Sequence, residues 1–153
     1  MSKTEVHACE PRQNQFVAPA DLRKYFLIAE QRQPLYDGWE ETECLGWWVG
    51  RDRNLPFHPV QWPDGTCAGI ILGWVIDGGR LLQTGEAVRA PELGMDLAEW
   101  SGEFAGRFLC LIKNADGYAQ VVLDAGGMLA AVYDPHRRAI ASIPALLPGG
   151  ATR

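Results

Sequence analysis

The chain has 153 residues, of which 47% are hydrophobic and 22% are charged, a composition typical of one globular domain and not of a disordered segment. The formal net charge is −5, with 14 basic against 19 acidic residues, which argues against nucleic acid as a partner. We find neither an apolar run of membrane-spanning length nor a signal peptide, so we expect a cytoplasmic protein without membrane contacts.

The cysteines and histidines are widely and irregularly spaced. They form no CxxC or comparable ligand pattern, so we expect no metal site and no disulfide scaffold. Cys67 and Cys110 lie in apolar, strand-like runs, where a free cysteine usually packs as a small hydrophobic residue. No phosphate-binding glycine loop is present, and we expect no bound cofactor.

The first half of the chain is predicted to be strands and turns. Residues 1–22 are predicted to form a flexible leader ahead of a domain at 23–153, and the polar, acidic segment 31–44 is predicted to be a loop. The other predicted elements are a strand at 23–29, a short aromatic strand at 45–50, a turn at 51–54, an extended segment at 57–62, a turn at 63–65 and a buried strand at 66–77.

The second half shows clearer signals. Asp96 is predicted to cap a short helix, in which Leu97, Trp100 and Phe104 have helical spacing. The elements that follow are strands at 106–113, 118–124, 128–134 and 138–143, then a helix from Pro144 to Leu147. The short connections between these strands predict a four-stranded antiparallel meander.

Six tryptophans include the adjacent pair Trp47 and Trp48. Neighbouring side chains of a strand point to opposite faces of the sheet. One of the two is therefore predicted either to be exposed as an interface anchor or to be covered by a second layer of structure.

The segment from Trp100 to Leu147 combines a short helix with an ordered series of short motifs. These are a Gly-x-Phe strand, a hairpin, a strand that ends in Asp, a glycine turn, a strand with Tyr, and an Ala-Ser strand that runs into a helix. The residues concerned are Gly106, Phe108, Asp124, Gly127, Tyr133, Ala141 and Ser142. This pattern resembles the class II glutamine amidotransferase domain of the asparagine synthetase family, and residues 69–77 match the preceding strand of that family more loosely.

The resemblance implies an α+β, N-terminal-nucleophile-hydrolase-like fold of two packed antiparallel β-sheets with few flanking helices. It also implies a partner, namely an ATP-dependent synthetase domain in the same or a neighbouring chain, and a homodimer is a further option. The family activates an N-terminal Cys through its own α-amino group. Here no Cys, Ser or Thr stands at the entry of the first predicted strand, near Arg23 and Lys24.

Two substrate-binding stretches of the family are also altered. Arg51 and Asp52 partly match the stretch that binds the substrate carboxylate, and Gly73 remains from an Asn-Gly pair at the oxyanion site, with Leu72 in place of Asn. The weak candidates for a nucleophile are Ser2, after removal of Met1, and Cys9, after cleavage behind Ala8.

Other polar residues have a structural interpretation beside a functional one. His58 is either a general base or a packed histidine, with packing favoured, and His136 is predicted to lie in a solvated turn. Asp124 is predicted to brace the turn that follows it, and Ser142 to hydrogen-bond locally.

We therefore expect a degenerate, non-catalytic glutaminase-like domain that serves as a structural or interaction module for an amide-forming synthetase. The alternatives are an active glutamine amidotransferase that uses Cys9 or Ser2, and an independent ligand-binding β domain.

Overall fold

The computed structural model describes residues 25–149 and shows two packed β-sheets with one short α-helix. The predicted leader at 1–22, with Ser2 and Cys9, lies outside the described residues. The strands are β1 Phe26–Ala29, β2 Trp39–Cys44, β3 Trp47–Asp52, β4 Phe57–Gln61, β5 Cys67–Asp77, β6 Arg80–Leu81, β7 Val88–Arg89, β8 Ala105–Lys113, β9 Ala119–Leu123, β10 Val132–Asp134 and β11 Ala139–Ala141; the helices are α1 Leu97–Gly102 and a 3₁₀ turn at Pro144–Leu146.

Sheet A has the strand order β10-β11-β1-β3-β2, and its neighbouring strands are all antiparallel. Sheet B has the order β7-β4-β5-β8-β9, with β6 paired to the end of β5. Its strands are antiparallel except for the short parallel pair of β4 and β7. The architecture is therefore α+β at the coarse level, dominated by β-structure, and no helix in residues 25–149 has the length and apolarity needed to cross a bilayer.

Three apolar layers hold the sheets together. The central layer lies between them and joins Phe26, Ile28 and Val49 of sheet A to Leu72 and Leu109 of sheet B. On the outer face of sheet B, Trp100 and Phe104 of the α1 region pack edge-to-face, with ring centroids 5.3 Å apart. On the outer face of sheet A, Trp48 and Leu146 contribute to a smaller cluster. The centre of sheet B is covered on both faces, so the consecutive residues 68–73 of β5 and 108–112 of β8 are buried.

The prediction of a loop at 31–44 is wrong for the second half of this segment, which forms the edge strand β2. The chain reverses between β2 and β3 at Leu45 and Gly46, which both have positive φ (55° and 79°) and form a two-residue hairpin turn. Such a turn matches the right-handed twist of the strands. Because β2 is an edge strand, its glutamates remain in water, and the acidic character that suggested a loop is compatible with a strand. The following strand is displaced accordingly, to 47–52 instead of 45–50.

The four-stranded meander predicted at the end of the chain is also wrong. β8 and β9 belong to sheet B, whereas β10 and β11 belong to sheet A, and the segment between β9 and β10 crosses from one sheet to the other. The third predicted strand shrinks to Val132–Asp134 because residues 128–131 make this crossing. The helix predicted at Pro144 is a 3₁₀ turn of three residues.

Other sequence predictions are confirmed. Asp96 caps α1 and accepts the N–H groups of Ala98 (2.8 Å) and Glu99 (3.2 Å). Of the tryptophan pair, Trp48 is buried in the cluster with Leu146 of the 3₁₀ turn, which covers this face of sheet A, and it donates its Nε1–H to Oε2 of Glu41 at 2.7 Å. Trp47, on the opposite face, is half-buried at an open edge of the sandwich.

Candidate functional site

The resemblance to the amidotransferase family predicts a nucleophile at the entry of the first strand, which among the described residues is β1. This entry carries Tyr25 and Phe26, both buried. The N–H of Phe26 donates to Oγ of Ser142 at 3.1 Å, and the N–H of Ser142 donates back to the carbonyl of Phe26 at 3.1 Å. The N–H of Asp52 donates to the carbonyl of Tyr25 at 2.9 Å. The entry of β1 is thus hydrogen-bonded on both sides, to Ser142 directly after β11 and to Asp52 at the end of β3.

Arg51 lies directly across from Phe26 in the sheet and is 5% exposed. One end of its guanidinium pairs with Glu40 at 2.6 Å, and the other donates to the carbonyl of Leu55 at 2.8 Å. The group also stacks over the ring of Phe57, 4.3 Å from the centroid. Burial lowers the pKa of Arg51, and Glu40 acts in the opposite direction. Both ends of the guanidinium therefore already have partners within the described residues.

Asp52 and Gly73, the other predicted remnants of the substrate site, also serve the fold. Oδ1 of Asp52 accepts the N–H of Asn54 at 2.7 Å and so closes the turn after β3. The N–H of Gly73 donates to the carbonyl of Pro56 at 2.8 Å. Gly73 has φ +115°, and a Cβ there would lie 2.2 Å from the carbonyl oxygen of Arg107. A glycine is thus required by the close approach of β5 and β8, and its N–H is already satisfied.

Among the motif residues of the resemblance, Asp124 connects β8 to the turn that follows β9. The carboxylate of Asp124 accepts the N–H of Phe108 at 3.1 Å and the N–H groups of three residues in the turn that follows, Gly126, Met128 and Leu129. Partial burial raises the pKa of this carboxyl, but these backbone hydrogen bonds outweigh that effect, and the pKa is lowered.

The remaining motif residues have distinct positions. Gly106 has φ +133°, and a Cβ there would lie 2.0 Å from the carbonyl oxygen of Trp74. Gly127 has φ +56° in the turn after Asp124, a backbone conformation that suits glycine. Phe108 is fully buried, whereas Tyr133 is 59% exposed on the edge strand β10.

His58 is fully buried in β4, and its Nδ1 lies 3.2 Å from the carbonyl of Glu86. Its Nε2 has no hydrogen-bond partner among the described residues. Burial lowers the pKa of the imidazole, while the hydrogen bond with the carbonyl of Glu86 acts in the opposite direction. The surroundings favour a neutral, packed histidine, the interpretation preferred from the sequence. His136 is exposed, and its N–H donates to Asp134 at 2.9 Å.

One surface feature was not predicted from the sequence. An apolar cleft of about 370 Å³ opens between the edge strand β9 of sheet B and the edge strand β10 of sheet A, and we call it the edge cleft. Its walls include Trp47, Leu111, Val121, Leu123, Tyr133 and Ile140. The guanidinium of Arg138 lies 5.7 Å from the ring centroid of Trp47 at its rim. The sequence signal for the edge cleft was the position of Trp47 in a strand. The depth of the cleft depends on two sheet edges that come together only in the fold.

A second, larger cleft of about 580 Å³ lies between the segment leading into α1 and strand β9. Its lining mixes apolar side chains such as Trp62 and Met95 with the charged residues Lys113 and Asp116. Within residues 25–149, no group of three or more His, Cys, Asp or Glu side chains is arranged to hold a metal ion. Cys110 is buried as expected, whereas Cys67 is exposed, so the packed interpretation of Cys67 was wrong.

Comparisons of the chain with protein-family models, with curated proteins and with solved structures found no match.

Proposed function

We propose that this chain is a degenerate, N-terminal-nucleophile-type glutaminase-like domain that does not hydrolyse glutamine and acts by packing against an ATP-dependent synthetase domain. The proposal rests first on the motif order between Trp100 and Leu147. The two packed sheets and the sparse helices are compatible with that family.

The non-catalytic part of the proposal rests on the partners of two candidate substrate-binding donors, the guanidinium of Arg51 and the N–H of Gly73. A glutaminase must direct a cationic group at the substrate carboxylate and an N–H at the developing oxyanion. Arg51 is instead satisfied by Glu40 and Leu55, and the Gly73 N–H by Pro56. Redirecting either group would leave buried polar atoms without partners, at a cost of about 1–3 kcal/mol each.

The edge cleft supports the interaction part of the proposal. Tyr133 and Leu123, which line it, expose 59% and 40% of their surfaces. Large, partly exposed apolar side chains that surround a concave site are typical anchors of protein interfaces. Since β9 and β10 are both edge strands, a partner there meets unpaired backbone groups as well as apolar surface.

Two experiments test the two parts. Purified protein incubated with glutamine should release no more ammonia than a Cys9→Ala, Ser2→Ala double variant. Ammonia release by the unmodified protein that is lost in Cys9→Ala or in Ser2→Ala would establish the rival, an active amidotransferase.

The second experiment measures binding to a purified asparagine-synthetase-type synthetase domain from the same genome, by calorimetry. We expect binding that Tyr133→Glu weakens at least tenfold, because a buried charge would replace an aromatic anchor. Tyr118→Glu is the matched control, since Tyr118 is 72% exposed and does not line the edge cleft. Equal effects of the two substitutions would contradict docking at the cleft.

The larger cleft favours a second candidate, an independent ligand-binding β domain. Its volume of about 580 Å³ and its mixed lining are in the range of small-molecule sites. A small molecule whose binding raises the melting temperature, with that rise abolished by Lys113→Ala, would favour this candidate over the synthetase module.

A further inference from the structure

Two cysteines from different sheets face each other at one end of the sandwich. Cys44 is the last residue of β2 in sheet A, and Cys67 is the first residue of β5 in sheet B. Their Sγ atoms are 4.0 Å apart, although the residues are twenty-three positions apart in the chain. Both are free thiols in this structure. We propose that Cys44 and Cys67 form a redox-active pair that closes to a disulfide between the two sheets.

The geometry requires only a small displacement. A disulfide has an S–S length of about 2.05 Å, so the two sulfurs must approach by about 2 Å. Cys67 lies at the start of its strand, where the register of β4 and β5 shifts between Val60 and Gln61. Cys44 is followed by the hairpin turn at Leu45 and Gly46. Each cysteine therefore sits at a strand end next to an irregular backbone segment, where a displacement of this size disturbs few ladder hydrogen bonds.

The two thiols differ in accessibility, which assigns their roles. Cys67 is exposed and open to a reagent from solvent, whereas Cys44 is 4% exposed. Burial raises the pKa of Cys44 to about 12, and the neighbouring Cys67 contributes to the rise. Cys67 is thus the attacking thiol and Cys44 the resolving thiol. The contribution of Cys67 to the raised pKa of Cys44 ends once the sulfur of Cys67 is bound in a mixed disulfide.

The oxidant we assign is a low-molecular-weight disulfide such as glutathione disulfide. The Cys67 thiolate attacks one sulfur of the reagent, forms a mixed disulfide and releases one thiolate. Cys44 then loses its proton to solvent and attacks Sγ of Cys67, and the second reagent thiolate leaves. Two protein thiols are oxidised to one disulfide, and one reagent disulfide is reduced to two thiols.

The cross-link would tie the edge strand β2 of sheet A to the start of β5, a central strand of sheet B. It would close a loop that contains β3 and β4 and would restrict the unfolded chain. Since β3 carries Trp47 at the wall of the edge cleft, closure also holds that wall against sheet B.

The test uses the full chain equilibrated with glutathione buffers of increasing disulfide fraction, then alkylated and digested with trypsin. The four cysteines fall in separate tryptic peptides, at residues 4–12, 33–51, 54–80 and 108–113. We expect a cross-linked species of 33–51 with 54–80, lighter by two hydrogen atoms than the two peptides together. The melting temperature should rise by about 5–10 °C on oxidation, by loop-closure entropy.

Two variants make the result decisive. Cys67→Ser should abolish both the cross-link and the rise in melting temperature, while Cys110→Ala should retain the cross-link, because Cys110 lies buried in sheet B. A glutathione adduct that persists on peptide 54–80 without a cross-link would overturn the proposal, as would a cross-link to peptide 4–12.

Discussion

The carboxylate of Asp124 accepts the backbone N–H of Phe108, sixteen residues earlier in the chain, at 3.1 Å. The same carboxylate accepts N–H groups of the turn in which the chain leaves sheet B for sheet A. One side chain thus connects a central strand to the crossing segment. This explains the Asp at the end of a strand in the motif without any catalytic role.

Asp124→Asn should destabilise the protein by about 2–4 kcal/mol. The amide retains one acceptor oxygen, but it loses the charge and places an NH₂ group against backbone donors. Urea unfolding followed by tryptophan fluorescence measures the change. Asp116→Asn, at an exposed hairpin turn, should change the stability by less than about 0.5 kcal/mol. Similar losses in both variants would contradict the bracing role.

The same carboxylate predicts acid sensitivity. Because the folded pKa of Asp124 is below the ordinary value of 3.8, its ionised form stabilises the fold above that pH. This contribution should be lost as the pH falls through 3.8 towards the folded pKa. The difference in unfolding free energy between the unmodified protein and Asp124→Asn should therefore shrink at low pH. A difference that stays constant from pH 6 to pH 3 would contradict this assignment.

The lowered pKa of His58 predicts a second effect of pH on stability, in a higher pH range. Its folded pKa is lowered by burial, so below its ordinary value of 6.5 the unfolded chain binds a proton that the folded chain excludes. Stability should be unaffected by this group above that pH and should fall below it, by at most about 1.4 kcal/mol per pH unit. Unfolding free energies measured from pH 7.5 to 5 should show a shallower slope in His58→Gln. A slope in His58→Gln as steep as that of the unmodified protein would contradict the prediction.

Gly73→Ala should be strongly destabilising, by more than about 3 kcal/mol. The added Cβ would lie 2.2 Å from the Arg107 carbonyl oxygen, and φ +115° is unfavourable for any L side chain. Gly102→Ala is the control, since a Cβ at Gly102 meets nothing within 4 Å. Thermal unfolding followed by circular dichroism should separate the two variants by more than 6 °C, as about 2–4 °C per kcal/mol applies at this size. A well-folded Gly73→Ala would contradict the close approach of β5 and β8.

Arg51→Met should cost about 2–4 kcal/mol, because it leaves the buried carbonyl of Leu55 and the carboxylate of Glu40 without their cation. Urea unfolding measures this loss. Arg53→Met is the matched control; Arg53 is exposed and donates only to the carbonyl of Gly38 at 3.2 Å, so a loss below about 1 kcal/mol is expected. If Arg51→Met were as stable as the unmodified protein, the guanidinium would be free for another role.

Several elements were predictable because their causes are local. Asp96 caps α1 through N–H groups two and three residues away, and the turns at 63–65 and 114–117 follow from Gly, Asp and Asn at fixed positions. The brace at Asp124 was predictable in part, since three of its donors lie within five residues. Its bond to Phe108 required the pairing of β8 with β9.

Other features depended on long-range pairing. The composition of Trp39–Cys44 is typical of a loop. The segment forms a strand because each of its residues pairs with a residue of β3. The apolar residues next to Cys67 in the sequence predict a buried side chain. Cys67 is exposed because it is the first residue of β5, at the end of the sheet.

The amino-acid sequence alone determined the β-rich character, most of the strands, the helix cap and the order of the motifs, because propensities and turn chemistry act over a few residues. Only the tertiary structure decided how the strands divide between two sheets, because that choice depends on which apolar faces bury each other across the sandwich. The same division brings the edges β9 and β10 together around a cleft and places the sulfurs of Cys44 and Cys67 4.0 Å apart.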